Sequence, residues 1–563
     1  MMRPFLLVLL ASSWCFAQNY PKDYFSSPLK IDLIPSGTFG ELRNNHFHAG
    51  LDIRTQQRIG LPIYAPADGT VSRIKVSTFG YGKALYINHP GGYTTVYGHL
   101  NAYNQPIGDF VRNQQYAAKK FEIELFPRAG ELRVKKGELI GFTGNTGGSG
   151  GPHLHYEFRD TKTEKIINPL HFGPRDMVKD SQSPIVNGLL VYPIGDQAVV
   201  NQSQKPVALT LTKQQDGSFL TNAVRGVGNI GFAVNAYDKS DINSGNNGIY
   251  AMETFLNGAA FYSYQFDTFA FDESRFVNAL IDYERYIKTK QRFQKLFFSK
   301  PYGLSLIRAA NKGNGQLSLA AAGSWSYRIE ISDFNKNKTI IHVPIDYAEE
   351  AVVVKETREK TDLFIQAERD YIFERENVVV EFPANVFYDD FYLKLAVKDQ
   401  VLQLHDETVA LHKNITIKFD LTNAKGINLE KAFIGRVSNG KKEYFTTQKK
   451  NGVFSIRTRD FGQYQIFEDA VAPQITKPNF VTGAELDRTK KLVFSVSDAL
   501  SGMGQIEAFI NDKWVLMDYD YKTNLIEHAL SDGVATTGKN DIKIIATDRM
   551  GNTATFESYF FIK

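Results

Sequence analysis

Residues 144–158 read Gly-Asn-Thr-Gly-Gly-Ser-Gly-Gly-Pro-His-Leu-His-Tyr-Glu-Phe. The first nine have the composition of a loop, and Leu154 to Phe158 have that of a strand. Residues two apart on a strand share a face, so His153 and His155 look into one groove. The Gly-rich run could pass for a phosphate cradle, but no Lys-Ser/Thr follows it. It reads as the support of the histidine strand.

Working outward, histidine is concentrated near this stretch. Seven of the eleven (His46, His48, His89, His99, His153, His155 and His171) lie within the first 171 residues. Two further segments carry chemistry: Asn45-His46-Phe47-His48-Ala49-Gly50-Leu51-Asp52, and Val96-Tyr97-Gly98-His99-Leu100. Imidazole and carboxylate are what a hydrolytic zinc prefers, and a catalytic site uses three such ligands while leaving a position for water. Gly50 disfavours a helix between His48 and Asp52, so the pair shares a face of an extended or bent segment. Residues 84–100 have the form of a hairpin turning at His89-Pro90-Gly91-Gly92, with Tyr93, Thr95, Tyr97 and His99 on one face. His46 reads as a surface or supporting residue, His89 as an exposed turn residue, and His171 as structural. Glu157 belongs to no His-Glu-x-x-His helix.

The order His-x3-Asp, Tyr-Gly-His-Leu, Gly-Pro-His-Leu-His resembles the lysostaphin-like metallopeptidases, the M23 family. Phe39-Gly40-Glu41-Leu42-Arg43, Ala65-Pro66-Ala67-Asp68-Gly69-Thr70-Val71 and Gly141-Phe142-Thr143-Gly144-Asn145-Thr146-Gly147 are similar to the segments around that family's motifs. The resemblance covers residues 36–173 and departs at Gly150, where Thr or Ser is usual, and at an insertion over about 101–136. It implies an antiparallel β-sheet peptidase domain over 18–175. It further implies His48, Asp52 and His155 as ligands of Zn2+, His99 and His153 as unligated catalytic histidines, and peptidoglycan as the substrate. The sequence does not divide the proton-handling between His99 and His153.

Arg3, the apolar run Phe5–Ala11 and Cys15-Phe16-Ala17 have the layout of a signal peptide over 1–17, placing the mature chain outside the cytoplasm, secreted or periplasmic. Cys15 is the sole cysteine, so the mature chain has no disulfide and relies on cores and metal. A formal charge of +4 over 563 residues lends no support to nucleic-acid binding. No later apolar stretch is long enough to span a membrane.

Beyond a polar linker at 176–184 the chain stays β-like. Asn235-Ala236-Tyr237-Asp238 and Ser495-Val496-Ser497-Asp498 begin two copies of a weak repeat. Ile331-Ser332-Asp333 and Ala546-Thr547-Asp548, each soon followed by Asn, come later in them. Two immunoglobulin-like β-sandwiches at 185–345 and 471–563, with another β domain at 346–470, account for this. The first carries an insertion around 272–300. The expected architecture is thus predominantly all-β, with tandem sandwiches behind the peptidase sheet and minor helix. The insertion at 101–136 is expected to fold over one sheet edge and wall the groove. Two other functions compete with wall hydrolysis: a catalytically silent regulator of other hydrolases, which predicts a broken ligand set, and a wall-binding protein built on the downstream domains.

Overall fold

The computed structural model describes residues 20–173, 178–242, 245–356 and 359–563. The signal peptide expected at 1–17 lies outside the described residues. The chain is predominantly β, as its turn-punctuated, β-branched and aromatic sequence requires. No helix among the described residues is long and apolar enough to cross a membrane.

The N-terminal sheet contains β1 (Pro35–Gly37), β2 (Leu51–Arg54), β3 (Gly69–Val76), β4 (Lys83–His89), β5 (Tyr93–Gly98), β6 (Ile123–Leu125) and β7 (His153–Asp160). Their order across the sheet is β1-β2-β7-β5-β4-β3-β6, and each neighbouring pair is antiparallel. In β7, Leu154, Tyr156 and Phe158 enter the apolar core with Ile53, Ile87 and Tyr97. The pleat therefore turns His153, His155 and Glu157 to the opposite face.

The insertion folds over one edge of the sheet. Asn104 caps a helix, α1 (Gln105–Ala118), by accepting from Ile107 N, with Pro106 in the first turn. Ile107 and Val111 of α1 pack into the sheet's core, and β6 pairs with Ile74–Val76. That edge lies at the far end of the sheet from β7, because the half-buried Phe121, Ile123 and Leu125 pack against the core there. The helix's far end instead seats the last β unit: Tyr116 hydrogen-bonds Asp532 and meets Trp514 edge-on at 5.3 Å.

Downstream, residues 185–347 supply all strands of a twelve-stranded sheet, residues 371–468 two five-stranded sheets, and residues 474–562 sheets of four and five strands. Short helices at Phe271–Phe276, Val277–Leu280 and Tyr283–Thr289 interrupt the first of these units. The N-terminal sheet is not separate from its neighbour. Ile166–Ile167 pairs with Thr268–Phe269, and Phe39, Leu42, Phe47, Ala49 and Ile166 share one core with Phe266, Phe269 and the strands beyond.

Phe269 is fully buried, its ring 4.9 Å from Phe39 and 5.5 Å from Phe47. Phe269→Ala should therefore destabilise the folded chain by about 3–5 kcal/mol, the usual cost of emptying such a site. Denaturant unfolding measures the loss, and hydrogen exchange over residues 39–49 should quicken if Phe269 braces that segment.

Candidate metal centre

The register of the sheet assembles the site. His155 of β7 lies opposite Asp52 of β2 on one side and Gly98 of β5 on the other. Directly opposed residues have neighbouring side chains, so Asp52 Oδ1 stands 2.8 Å from His155 Nδ1. His48 precedes β2 across the bend at Ala49-Gly50 and brings its Nε2 to 3.0 Å from Asp52 Oδ1 and 3.2 Å from His155 Nδ1. Gly50 is needed for this closeness: a Cβ there would stand 2.6 Å from Tyr156 O and 3.0 Å from His155 Cε1.

The remaining ring nitrogens of the two histidines are held. His48 Nδ1 donates to Thr38 O at 2.8 Å, and His155 Nε2 lies 2.8 Å from the buried carboxylate of Glu157. In the neutral rings that a metal requires, these contacts leave His48 Nε2 and His155 Nδ1 facing Asp52 as acceptors, so binding at His155 would displace a proton. Two nitrogen lone pairs and a carboxylate, all buried and pointing at one another, suit a cation. A tetrahedral ion about 2.0–2.1 Å from each donor separates the donors by about 3.3 Å, close to the spacing seen.

His99 and His153 stand beside this trio. The ring centroids of the two are 4.8 Å apart, and His153 Nε2 lies 3.4 Å from Asp52 Oδ1. The Gly-rich loop holds both from outside. His99 Nδ1 donates to Thr146 O and His153 Nδ1 to Gly151 O, each at 2.8 Å. His99 does not share a face with Tyr93 and Tyr97, which point into the core. Its φ of +60° breaks the strand's alternation and swings the ring toward His155. Gly98 leaves room for this, since even a Cβ there would sit 3.3 Å from the Cβ of His155.

Burial, then the rings of His155 and His153, push His99 down to about 3. Burial would raise Asp52, but His48, His153 and His155 outweigh it and hold the carboxyl well below its ordinary range. For His155, burial acts downward, and Asp52 with Glu157 overcomes it to reach about 9. Burial likewise opposes Glu157, which Arg159, His155 and Tyr81 bring down to about 2.

Sequence reasoning missed Glu157, Tyr81, Arg159 and Arg43 as supporting residues. Glu157 takes hydrogen bonds from Tyr81 OH and, at 2.8 Å, Arg159 Nε. Tyr81 also stacks on His155 at 5.0 Å and accepts His99 N on its carbonyl. Arg43 Nη2 reaches the second oxygen of Asp52 at 3.1 Å. The alternation His153-x-His155-x-Glu157 was the one available signal, since it puts Glu157 on the histidine face. His89 is buried rather than exposed, because Asp68 O and Thr95 Oγ1 satisfy its two nitrogens at 2.9 and 2.7 Å. His46 is exposed, and His171 pairs with Asp267 at 2.8 Å.

Residues 46–121 and 128–169 match the family described as Peptidase family M23. This part of the chain is an M23 peptidase domain. Residues 362–469 match a Zu5-like domain. The DD-carboxypeptidase/endopeptidase Mpg of Neisseria meningitidis serogroup B is 38% identical over 112 residues, which are 20% of this chain and 20% of that protein. The peptidoglycan DD-endopeptidase ShyC of Vibrio cholerae is 35% identical over 117 residues, 21% of this chain and 20% of that one. The solved catalytic domain of lysostaphin from Staphylococcus simulans is 25% identical, covers 27% of this chain and 90% of its own, and superposes with a TM-score of 0.17. The chain thus spans about a fifth of the length of these curated relatives. The M23 match ends at Ile167-Asn168-Pro169, and most of the chain lies beyond it.

The carboxylate behind His155 offers a direct test. Glu157→Gln keeps the shape but removes the charge that orients the ring, and such outer partners are worth about 10–100-fold in metal affinity. Competition with a chelator should show a loss of that size, and unchanged affinity would leave Glu157 a core residue only.

Proposed function

We propose that this chain is a zinc metalloendopeptidase that hydrolyses peptide bonds in peptidoglycan stems or cross-links outside the cytoplasm. The observation that carries the reading is the convergence of His48 Nε2, an Asp52 oxygen and His155 Nδ1, with their other polar atoms held by Thr38, Arg43 and Glu157. His48, Asp52 and His155 would hold the metal. When bound, zinc supplies an acidified water and Lewis-acid polarisation of the scissile carbonyl.

The chain's own residues then handle protons and position the substrate. His99 is neutral at physiological pH, its Nδ1 proton committed to Thr146, so its Nε2 is available as an acceptor. His153 likewise commits its Nδ1 proton to the loop; its Nε2, toward the centre, would take a proton from the attacking water, and the imidazolium so formed would donate to developing negative charge or to a leaving amine. The intact set of five argues against a silent regulator, whose ligands would be broken. Peptidoglycan as the substrate is supported by the name of one relative, the peptidoglycan DD-endopeptidase ShyC, and by the leader-like N-terminus. The domain limits 18–175, 185–345, 346–470 and 471–563 belong to the same proposal. A shared core crosses the first limit, and the strand Lys338–Tyr347 runs across the one at 345.

His48→Ala, Asp52→Ala and His155→Ala should each lose most of the bound zinc. His99→Ala and His153→Ala should keep it and lose on the order of 10²–10⁴ in rate. Elemental analysis and mass spectrometry of digested peptidoglycan, with and without chelator, read both outcomes. Normal zinc in His155→Ala overturns that ligand, and intact peptidoglycan with a zinc-loaded parent overturns the substrate.

A further inference from the structure

Among the described residues, two clusters of carboxylates lie outside the histidine centre. Oxygens of Asp180, Asp238 and Asp333 all lie within 4.8 Å of one another, and so do oxygens of Asp469, Asp498 and Asp548. The two clusters occupy equivalent places in the two repeat units. Asp180 accepts Gln182 N and is followed at the fourth position by Pro184; Asp469 accepts Val471 N and is followed by Pro473. Asn337 Nδ2 bridges Asp333 and the carbonyl of Asp180, at 2.7 and 3.2 Å. Asn552 Nδ2 bridges Asp548 and the carbonyl of Asp469 in the same way, at 2.7 and 2.8 Å. Each cluster sits where the chain enters its repeat unit.

Acidic residues alone do not make a site, but here buried neutral groups point the same way. Asp238, Ser240 and Asn247 are each at least 96% buried, yet Asp238 Oδ1, Ser240 Oγ and Asn247 Oδ1 have no hydrogen-bond partner. All three residues line one cavity of about 40 Å³ together with Asp180 and Asn335. Buried oxygens without partners are costly to leave unmet, so the fold calls for a group that satisfies them. Burial and the neighbouring carboxylates push Asp238 up to about 8, and burial raises Asp180 to about 6. In the second cluster Ser501 Oγ is likewise buried and unmet, while Ser501 N donates to Asp469.

We propose that each trio binds one hard divalent cation of the calcium class. Carboxylate, amide and hydroxyl oxygens are the ligands such an ion takes at 2.3–2.6 Å, so opposed donors stand about 4.6–5.2 Å apart, as this spacing permits. The first ion has a structural route to the histidine centre. Asp238 and Asn247 exchange backbone hydrogen bonds, Gly248 N donates to Thr38 Oγ1 at 2.9 Å, and Thr38 O accepts His48 Nδ1. Calcium there anchors the linker carrying Asp180 and stiffens the segment behind His48. The inference is independent of the peptidase's substrate.

The full chain, dialysed against millimolar calcium and analysed for bound metals, should hold two calcium ions besides its zinc. Asp238→Asn and Asp498→Asn should each remove one calcium and leave zinc unchanged. Because each substitution relieves repulsion within a trio, the metal-free variants should melt no lower than the metal-free parent. They should also lose part of its calcium-dependent rise in melting temperature. No bound calcium, or a count unmoved by both substitutions, overturns the proposal. A single ion overturns the trio whose substitution leaves the count unmoved.

Discussion

Asp52 faces His155 because β2 and β7 pair in one register, and the site depends on that pairing. The register is held by apolar side chains rather than by the ligands. Leu154, Tyr156 and Phe158 fill the core from one face of β7, so slipping the strand by one residue would expose them and bury His153, His155 and Glu157 without partners. Hydrophobic alternation thus aims the imidazoles. The ligand atoms then meet at 2.8–3.2 Å because each ring's other nitrogen is already committed to Thr38 or Glu157.

The M23 domain has its own core but also shares one with the unit that follows it. The segment that carries His48 packs Phe39, Leu42 and Phe47 into a core made mainly by residues 185–345. Phe47 N donates to Ser274 Oγ, and Asn45 Oδ1 accepts from Asn278 Nδ2. From the other side the last unit reaches the loop that holds His99 and His153, through Lys522 on the carbonyls of Asn145 and Ser149, and reaches β4 through Asp518 with Lys83. Single hydrogen bonds of this kind are each worth only about 0.5–1.5 kcal/mol. The shared apolar core therefore holds the domain more firmly than these contacts do, and it lies on the side of the first motif.

A chain with one cysteine cannot order its junctions by disulfides within itself. The histidine centre and the two aspartate trios solve the same electrostatic problem, in which buried lone pairs converge with too few protons among them. Softer imidazole donors suit zinc at the first, and oxygen alone suits calcium at the others. Each trio joins an entering linker to two strands, so a cation there does for this chain what a disulfide does for smaller exported domains.

Much of the site was legible in the sequence because its residues fall in short motifs whose order and spacing are local. His153 and His155 on one strand face, the hairpin at 84–100, the loop as a support and the overall β character all follow from period-two alternation and from Gly and Pro. The helix at 105–118 was not read from the sequence, where 101–136 figured only as an insertion. What the sequence by itself could not decide was anything set by contact between distant segments. Tyr81 meets Glu157 only when distant segments of the chain come together, and His99 reaches the centre only through a left-handed turn that neighbouring strands stabilise. The carboxylate trios draw one residue from a linker and two from strands far along the chain, so no local spacing reveals them. Alternation along a strand is a property of neighbours in sequence, whereas convergence of charges depends on register and packing, which only the folded chain supplies.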